Sequence, residues 1–410
     1  PQHYPYCARV YSPTVATSAQ QKSSRTAMEA CNSLLEALDF WAQQTPSKTA
    51  LTFLDDAGAE IDALTYSQIL ERSNSLAAHL LADSSKLGLT KGSTCLLVYP
   101  PSLDFTVAYL ACLRAGVIAV PCFPPDPKRL KKDLNMFSAI QGSSGATVAL
   151  TSRTYNYAKK VADIKGMFSG GTEWPEMNWV VTDSLPTNGG ASEAGGGFPL
   201  PDPADVAFLQ YTSGSTSEPK GVMITHSNLA DNLKLIVEGL SAIDDTVVVS
   251  WLPQYHDMGL IGSVLALLFC GGSGFYMSPA SFIKRPSLWV ELISRHRGTH
   301  MQAPNFAYGL TARKFLASEQ QPQLDLSCVR HMINAAEPVD AASIDRFYAV
   351  FEVHGLKRGV IFPTYGLAEH TVYVCSNGRD RLVVDKVMLE TDRKIRPVAD
   401  KLELWTYGLD

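Results

Sequence analysis

The distribution of apolar and polar positions along the chain predicts alternating helices and strands. Residues 27–41 and 65–81 place apolar side chains at helical spacing, and short apolar runs between Gly, Pro or Asp are typical of buried strands. Strands are expected at residues 50–54, 95–99, 116–120, 148–151, 179–182, 205–211, 222–224, 246–252, 329–333 and 360–362. Further helices are expected at residues 103–114, 228–240, 286–297 and 306–316. Because strands that alternate with helices usually form parallel sheets covered by helices, the pattern predicts an α/β fold with mostly parallel sheets.

Changes in composition divide the chain into four predicted segments. Residues 1–26 are polar without periodicity and are expected to form a leader. Residues 27–203 are expected to form a first α/β subdomain that ends in a Gly- and Pro-rich linker. Residues 204–376 are expected to form a second α/β subdomain, and residues 377–410 begin a distal one.

Composition excludes several classes of protein. With 410 residues, 46% of them hydrophobic and 18% charged, the chain can bury a large core, and a disordered or fibrous class is excluded. A net charge of −5 predicts no broad attraction to nucleic acid, and the basic residues 128–132 suit a solvated helix face. The eight cysteines have no metal-ligand spacing, and the longest apolar run, residues 258–270, is too short to span a bilayer. A cytoplasmic protein without a transmembrane segment is expected.

Residues 211–226, YTSGSTSEPKGVMITH, are the candidate phosphate-binding segment. They join two apolar strands through small, hydroxyl-rich residues, whose backbone N–H groups and hydroxyls can surround phosphate oxygens beside the positive charge of Lys220. A Walker A motif has Gly directly before its Lys, and Ser or Thr directly after it. Because Lys220 lies between Pro219 and Gly221, the chain is not a P-loop NTPase. A solvated Ser-rich linker is the simpler alternative, which the two bracketing strands disfavour.

Three later segments follow predicted strands and carry further candidate chemistry. WLPQYHDMGLIGS at residues 251–263 contains a His-Asp pair, which without context more often makes a structural hydrogen bond than a catalytic dyad. NAAEP occupies residues 334–338, and PTYGLAEHT occupies residues 363–371. In PTYGLAEHT, an aromatic ring followed by Gly and a carboxylate suits purine stacking beside a Mg²⁺ ligand, although an ordinary helix start with a solvated Glu is the alternative.

Together these motifs resemble those of the adenylate-forming superfamily, which contains acyl-CoA synthetases, fatty acyl-AMP ligases and the adenylation domains of peptide synthetases. HDMG at residues 256–259, QAPNFAY at residues 302–308 and VDKVMLE at residues 384–390 resemble the fatty acyl-AMP ligase branch. The resemblance covers about residues 27–402. It departs from the family where Gln302, Ala303 and Ala335 each replace a glycine.

The resemblance implies the N-terminal domain of these enzymes, with helices packed between and around the sheets. The family's C-terminal lid, with its catalytic lysine, is not recognisable within the 410 residues. We therefore interpret the chain either as a fragment of a longer enzyme or as a truncated relative.

The resemblance also implies the roles of individual residues. It implies Lys220, His256 and Glu369 as catalytic residues, with His256 near the acyl carboxylate and Glu369 as the metal ligand. The implied nucleotide-binding residues are Thr212, Ser213, Gly214, Ser215, Thr216, Ala336, Glu337, Thr364, Tyr365 and Gly366. Among them, Tyr365 would stack on adenine and Thr364 would touch the α-phosphate. Phe306 and Tyr308 suit a pocket or the core equally well.

The implied function is ATP- and Mg²⁺-dependent activation of a medium- or long-chain fatty acid to an acyl-adenylate, with release of pyrophosphate. The implied acceptor of the acyl group is an acyl carrier protein or a polyketide synthase. Two alternatives remain open. One is an acyl-CoA synthetase, which would accept CoA after adenylation, and the other is a non-catalytic domain that binds an adenylate or an acyl chain.

Overall fold

A computed structural model describes residues 31–82, 84–126, 130–167, 174–185, 198–212, 219–378, 380–381, 383–398 and 403–404. The predicted leader, most of the Gly- and Pro-rich linker and residues 213–218 of the predicted phosphate segment lie outside the described residues. Four of those six residues, Ser213, Gly214, Ser215 and Thr216, are predicted site residues. Within the described ranges, helices and mostly parallel strands alternate, so the expected α/β fold is confirmed.

The strands are, in chain order, β1 (Thr49–Leu54), β2 (Glu60–Thr65), β3 (Thr94–Val98), β4 (Ile118–Cys122), β5 (Val148–Thr151), β6 (Asn178–Val181), β7 (Val206–Thr212), β8 (Lys220–Thr225), β9 (Val247–Ser250), β10 (Ser273–Tyr276), β11 (His300–Pro304), β12 (His331–Ala335), β13 (Ile361–Pro363), β14 (Tyr365–Gly366), β15 (Tyr373–Cys375), β16 (Asp380–Arg381) and β17 (Glu403–Leu404). The α-helices are α1 (Leu34–Gln44), α2 (Tyr66–Ala82), α3 (Ser84–Leu87), α4 (Leu103–Ala115), α5 (Leu130–Ser144), α6 (Arg153–Met167), α7 (His226–Gly239), α8 (Ala266–Cys270), α9 (Pro279–Lys284), α10 (Ser287–His296), α11 (Asn305–Leu316), α12 (Ala341–Phe351) and α13 (Lys386–Thr391). A π-helix spans Met258–Leu265, and 3₁₀ turns lie at Thr182–Ser184, Glu352–His354 and Ala368–His370.

Local sequence explains where several helices begin and end. Helix α7 starts at a capping box, in which the Thr225 side chain accepts the Asn228 N–H and the Asn228 side chain accepts the Thr225 N–H. Helix α4 ends at Gly116, whose φ of 66° is the left-handed conformation that glycine adopts at little cost. These caps place both helices directly beside the strands they cover.

The two large sheets are mostly parallel, and each ends in one antiparallel pair. The six-stranded sheet has the order β6-β5-β3-β4-β7-β8, with β7 and β8 antiparallel. The seven-stranded sheet has the order β13-β12-β11-β9-β10-β1-β2, with β1 and β2 antiparallel. The division between the sheets therefore differs from the predicted subdomain boundary after residue 203. Strands β7 and β8 join the earlier strands, whereas β1 and β2 join the later ones.

Successive side chains of a strand point to opposite faces of its sheet, and the two faces pack into different cores. In β3, Cys95 and Leu97 join the core between the sheets, whereas Leu96 and Val98 join an outer core with α5. The inner core includes residues of α1, α2, α4, α7 and α8, and α10, α11 and α12 contribute to a core on the outer face of the seven-stranded sheet. Helices thus pack between and around the sheets.

The described cysteines are free thiols, and most of them are buried. Burial raises the pKa of the Cys270 thiol to about 12, so this side chain stays protonated at neutral pH. Within the described part of the chain, none of the helices combines the length and the hydrophobicity that a membrane span requires. The cytoplasmic compartment stays a prediction.

Candidate active site

A cavity of ≈ 300 Å³ lies where strand ends of the two large sheets converge. The six-stranded sheet contributes Thr212 at the end of β7, and the seven-stranded sheet contributes residues at the ends of β12 and β13. The lining residues are Thr212, Ile236, His256, Asp257, Met258, Gly262, Gln302, Ile333, Ala335, Ala336, Thr364, Tyr365, Gly366, Leu367, Ala368, Glu369, Val372 and Tyr373. Open α/β sheets bind ligands at the carboxyl ends of their strands, so this cavity is the candidate active site.

Most of the described site residues predicted from sequence line this cavity, although they come from separate segments of the chain. They are Thr212, His256, Ala336, Thr364, Tyr365, Gly366 and Glu369. Lys220 and Glu337 are not among the lining residues. Lys220 is exposed and pairs in register with Thr212 across β7 and β8. Glu337 instead accepts the Phe306 N–H through Oε1 at 2.6 Å.

The backbone after β12 is held in an unusual conformation. Ala336 has a φ of 69°, a left-handed conformation that a residue with a Cβ adopts only at a cost in free energy. Ala335, which replaces a family glycine, is an ordinary strand residue, and its methyl group packs into the inner core. The methyl at position 335 is therefore accommodated, and the strained residue is its neighbour.

Residues 364–376, here called the rim, carry the candidate nucleotide and metal groups. Strands β14 and β15 pair within the rim, and Glu369 is exposed in the 3₁₀ turn between them. The Asn232 side chain in α7 both donates to the Tyr373 carbonyl and accepts the Tyr373 N–H, each at 3.0 Å. Thr364 Oγ1 lies 2.7 Å from Ser376 Oγ. These contacts hold the rim over the cavity.

His256 lies at the mouth of the cavity, with 54% of its side chain exposed. Its Nδ1 is 2.7 Å from Asp257 Oδ1. This hydrogen bond raises the pKa of His256, although burial opposes the shift. Asp257 Oδ1 also accepts the Met258 N–H at 2.6 Å, which fixes the carboxylate at the start of the π-helix. The raised pKa favours the protonated form of the imidazole, which suits a bound carboxylate.

The π-helix and strand β11, here called the wall, close the buried side of the cavity. Two side chains donate hydrogen bonds to carbonyls of the π-helix. Gln302 Nε2 in β11 donates to Gly262 O at 2.5 Å, and Tyr276 OH in β10 donates to Ser263 O at 2.8 Å. A Cβ on Gly259 would lie 2.1 Å from Pro253 O, so only glycine fits there. Wide π-turns are rare and are frequent at functional sites.

Tyr308 belongs to the core, and Phe306 lies outside the cavity lining. Tyr308 is fully buried, and its hydroxyl donates to Ile333 O at 2.7 Å. Phe306 is 43% exposed and makes an edge contact with Trp251 at 6.0 Å between ring centroids. The sequence suited either a pocket or the core for both residues, and the structure favours the core for Tyr308.

Several lining residues were not identified from sequence. Ile236 lies on the apolar face of α7, and periodicity indicates that such a residue is buried without showing what it faces. Val372 and Tyr373 follow the PTYGLAEHT motif in a segment without periodicity. Gly262 lies within the WLPQYHDMGLIGS motif, and membership of that motif is the sequence signal that could have identified it as a lining residue.

A divalent metal ion at this site would need ligands from a bound molecule. Among the residues that the structure describes, no group of three His, Cys, Asp or Glu side chains could hold a metal ion by itself. Mg²⁺ is commonly bound by one or two carboxylates together with substrate phosphates and water. The exposed Glu369 carboxylate on the rim fits that arrangement.

Two ligases that act on fatty acids are similar to this chain in sequence. The chain is similar to a medium-chain-fatty-acid–[acyl-carrier-protein] ligase, JamA, of Moorena producens, with 37% identity over 84% of this chain and 56% of the relative. It is also similar to a long-chain-fatty-acid–AMP ligase, FadD32, of Mycobacterium marinum, with 32% identity over 90% of this chain and 57% of the relative. The chain thus spans less than two thirds of the length of these relatives.

A solved structure and a family model agree with these relatives. The crystal structure of a fatty acyl-adenylate ligase from L. pneumophila, in complex with acyl adenylate and pyrophosphate, matches with a TM-score of 0.79 and 32% identity, over 91% of this chain and 62% of that one. The family model described as AMP-binding enzyme matches residues 38–400. The superfamily expected from the motifs is therefore confirmed, and the chain belongs to the family of AMP-binding enzymes.

Proposed function

We propose that this chain carries the nucleotide- and acyl-binding part of a fatty acyl-AMP ligase. The reaction joins a medium- or long-chain fatty acid to the AMP part of ATP and releases pyrophosphate. The acyl group then passes to an acyl carrier protein, either free or within a polyketide synthase. JamA, a relative named as an acyl-carrier-protein ligase, supports this acceptor.

One observation carries the proposal. A single cavity gathers the hydroxyls of Thr212 and Thr364, the ring of Tyr365, the carboxylate of Glu369 and the imidazole of His256. The hydroxyls and the ring suit a nucleotide phosphate and a purine. The imidazole, whose pKa is raised, suits a carboxylate, so the cavity has groups for both substrates.

The chemistry requires positioned charge and little covalent work by the protein. A fatty acid is already ionised at neutral pH, so no general base is needed. One carboxylate oxygen forms a bond to the α-phosphorus, and the bond from that phosphorus to the oxygen bridging the β-phosphorus breaks. Pyrophosphate leaves with that bonding pair. Lys220 and the hydroxyls of Thr212 and Thr364 are proposed to stabilise the negative charge that develops on the phosphate oxygens.

Glu369 is the proposed protein ligand of Mg²⁺, which when bound neutralises phosphate charge. Tyr365 is proposed to stack on the adenine, and Ala336 with Gly366 to line the base. Glu337 is proposed to act through its hydrogen bond to the Phe306 backbone, which would hold the loop after β12 against α11. Ser213, Gly214, Ser215 and Thr216 are proposed to surround the phosphates, as the resemblance implies.

Fatty-acid-dependent ATP–pyrophosphate exchange tests the proposal on the 410-residue chain. Glu369→Gln and Lys220→Ala should each lower the exchange rate by roughly a hundredfold, because each removes one group that stabilises transition-state charge. Glu319→Gln, an exposed glutamate outside the cavity lining, is the matched control and should leave the rate unchanged. Thermal melting of all three variants should match that of the unaltered chain.

The acceptor is tested separately, after adenylation. Incubation with a holo acyl carrier protein should give the acylated carrier, whereas incubation with CoA should give little acyl-CoA. Preferential formation of acyl-CoA would favour an acyl-CoA synthetase. Nucleotide binding without any exchange would contradict adenylation by this chain.

A further inference from the structure

We propose that Gln302 limits the length of the acyl chain that the cavity accepts, so that the preferred acid is of medium length. The inference rests on the proposed function, because it concerns the acyl part of the same cavity. It assigns a role to Gln302, a buried polar residue that lines this cavity.

The strand register places Gln302 below the mouth of the cavity. Gln302 pairs in parallel register with Ile333 on β12, and both residues line the cavity. The neighbouring Ala303 belongs to the outer core, as alternation along a strand requires. Gln302 is the third of the five residues of β11 and is buried, so its side chain borders the inner part of the cavity and not its mouth. An acid that ends above Gln302 leaves the amide in place, whereas a longer acid would reach it.

The Gln302 amide closes the gap between β11 and the π-helix. Its Nε2 donates to Gly262 O at 2.5 Å. A Cβ built on Gly262 would lie 2.3 Å from Gln302 Oε1, so both ends of the amide are pressed against this turn. Glycine at 262 lets the amide lie flat on the helix backbone, and the resulting contact forms a floor across the cavity.

The next side chain on the same face of β11 below Gln302 is also buried and hydrogen-bonded. His300 is two residues earlier on β11 and is buried, and its Nε2 donates to Leu240 O at 3.0 Å. An acyl chain that passed Gln302 would therefore meet a second hydrogen-bonded side chain.

Discrimination follows from what a longer chain would have to displace. Methylene groups that reached Gln302 would break the hydrogen bond from its amide to the buried Gly262 carbonyl and leave the amide N–H without that acceptor. An acid that ends above the amide avoids this penalty and still buries its own methylenes against Ile236 and Ile333. The expected preference for the shorter acid is about tenfold or more.

Binding of stable acyl-adenylate analogues tests the inference without requiring turnover. Calorimetric titration would compare octanoyl and palmitoyl sulfamoyl-adenosine on the 410-residue chain. The unaltered chain should bind the octanoyl analogue at least about tenfold more tightly. Gln302→Ala removes the floor and should reduce this ratio by about tenfold, mainly through tighter binding of the palmitoyl analogue.

Two further variants separate chain-length control from a structural role. Gln302→Asn keeps the amide but shortens the side chain by one methylene, so it should reduce the ratio to a smaller extent. Gln302→Leu keeps a side chain of similar size but removes the hydrogen bond that a long chain would have to break, so it should reduce the ratio by less than Gln302→Ala does. A residue that only supported the fold would change the affinity for both analogues alike.

Each outcome bears on a different claim. Equal affinities in the unaltered chain, or a ratio that neither Gln302→Ala nor Gln302→Asn changes, would overturn the role of Gln302 while the proposed function stands. Failure of the unaltered chain to bind either analogue would overturn the proposed function, and the inference with it. Thermal melting of each variant shows that a loss of binding is not a loss of fold.

Discussion

The rim and the wall bound the same cavity but are built in opposite ways. The rim, residues 364–376, leaves Tyr365 60% exposed and Glu369 exposed, and side-chain hydrogen bonds from Asn232 tie it to α7. In the wall, every residue of the π-helix is buried, and Gly259 and Gly262 touch neighbouring groups too closely for a Cβ. The rim is therefore held by side-chain hydrogen bonds, whereas the wall is held by close packing.

Two histidines, one at the mouth of the cavity and one in the wall, show a similar contrast between exposed and buried groups. His256, at the mouth, has a raised pKa because it hydrogen-bonds to Asp257. His300, in the wall, has its pKa lowered to about 4 by burial. Groups proposed for chemistry, such as Tyr365, Glu369 and His256, thus occupy exposed positions, where substitution costs little stability. Groups that shape the cavity belong to the core, where a substitution also disturbs the fold.

The largest expected effect is in the wall, where Gly259→Ala tests the close packing of the π-helix. The added methyl would lie 2.1 Å from Pro253 O, a backbone atom that cannot move freely. We expect a loss of about 3 kcal/mol in the free energy of unfolding, measured with urea. Gly142→Ala in α5 is the matched control, because its Cβ would meet nothing within 4 Å, and alanine favours a helix. Equal stability of the two variants would show that the π-helix is not closely packed at Gly259.

Acid should weaken the wall through His300. Its folded-state pKa of about 4 lies below the ordinary value of 6.5, so the unfolded state binds the proton first as the pH falls. The stabilisation is complete above pH 6.5 and is lost as the pH falls towards 4. For His300 alone, the change from neutral pH to about pH 5 is about 2 kcal/mol in the free energy of unfolding.

The measurement is urea unfolding across this pH range for the unaltered chain and for His300→Gln. His226, whose pKa burial also lowers to about 4, leaves part of the pH dependence in the variant. His300→Gln should therefore flatten the dependence without abolishing it. An identical slope in both proteins would show that His300 does not titrate between the folded and unfolded states.

The smallest effect is expected at the rim. Asn232→Ala removes two hydrogen bonds to the Tyr373 backbone and should lower the free energy of unfolding by about 1 kcal/mol. Amide hydrogen exchange at Tyr373 should nevertheless become clearly faster, because the rim opens locally. Asn135→Ala, at an exposed position of α5, is the control and should leave this exchange unchanged. A loss in the free energy of unfolding as large as that of Gly259→Ala would show that the rim is part of the core and does not open locally.

Much of the fold could be predicted from sequence because buried parallel strands are short apolar runs. Strands β3, β4, β5 and β7 lie close to their predicted positions. Strand β2 was missed because it is an edge strand whose first residues, Glu60, Ile61 and Asp62, are exposed. Helix α6 was missed because its sequence, RTYNYAKKVADIKGM, contains few apolar residues. Neither element has the periodicity that burial on one face produces.

Site residues could be predicted from sequence where they lie within one recognisable motif. They could not be predicted where only the packing of distant elements places them at the cavity. PTYGLAEHT contains the rim residues Tyr365 and Glu369, both of which line the cavity. Ile236 approaches from α7 only after the sheets have packed, so local sequence does not show its position. The separation of Lys220 and Glu337 from the lining also depends on tertiary geometry.

The pairing of β1 with β10 has a consequence for synthesis of the chain. Ser273 Oγ donates to Thr49 O, and the two residues are 224 positions apart. Chains emerge from the ribosome with the N-terminus first, so the strands of the six-stranded sheet are all available before β10 exists. Until then, the apolar β1 segment TALTFL has no parallel partner. Such an unpaired apolar strand can pair with other chains, so we expect aggregation during translation to begin at this segment.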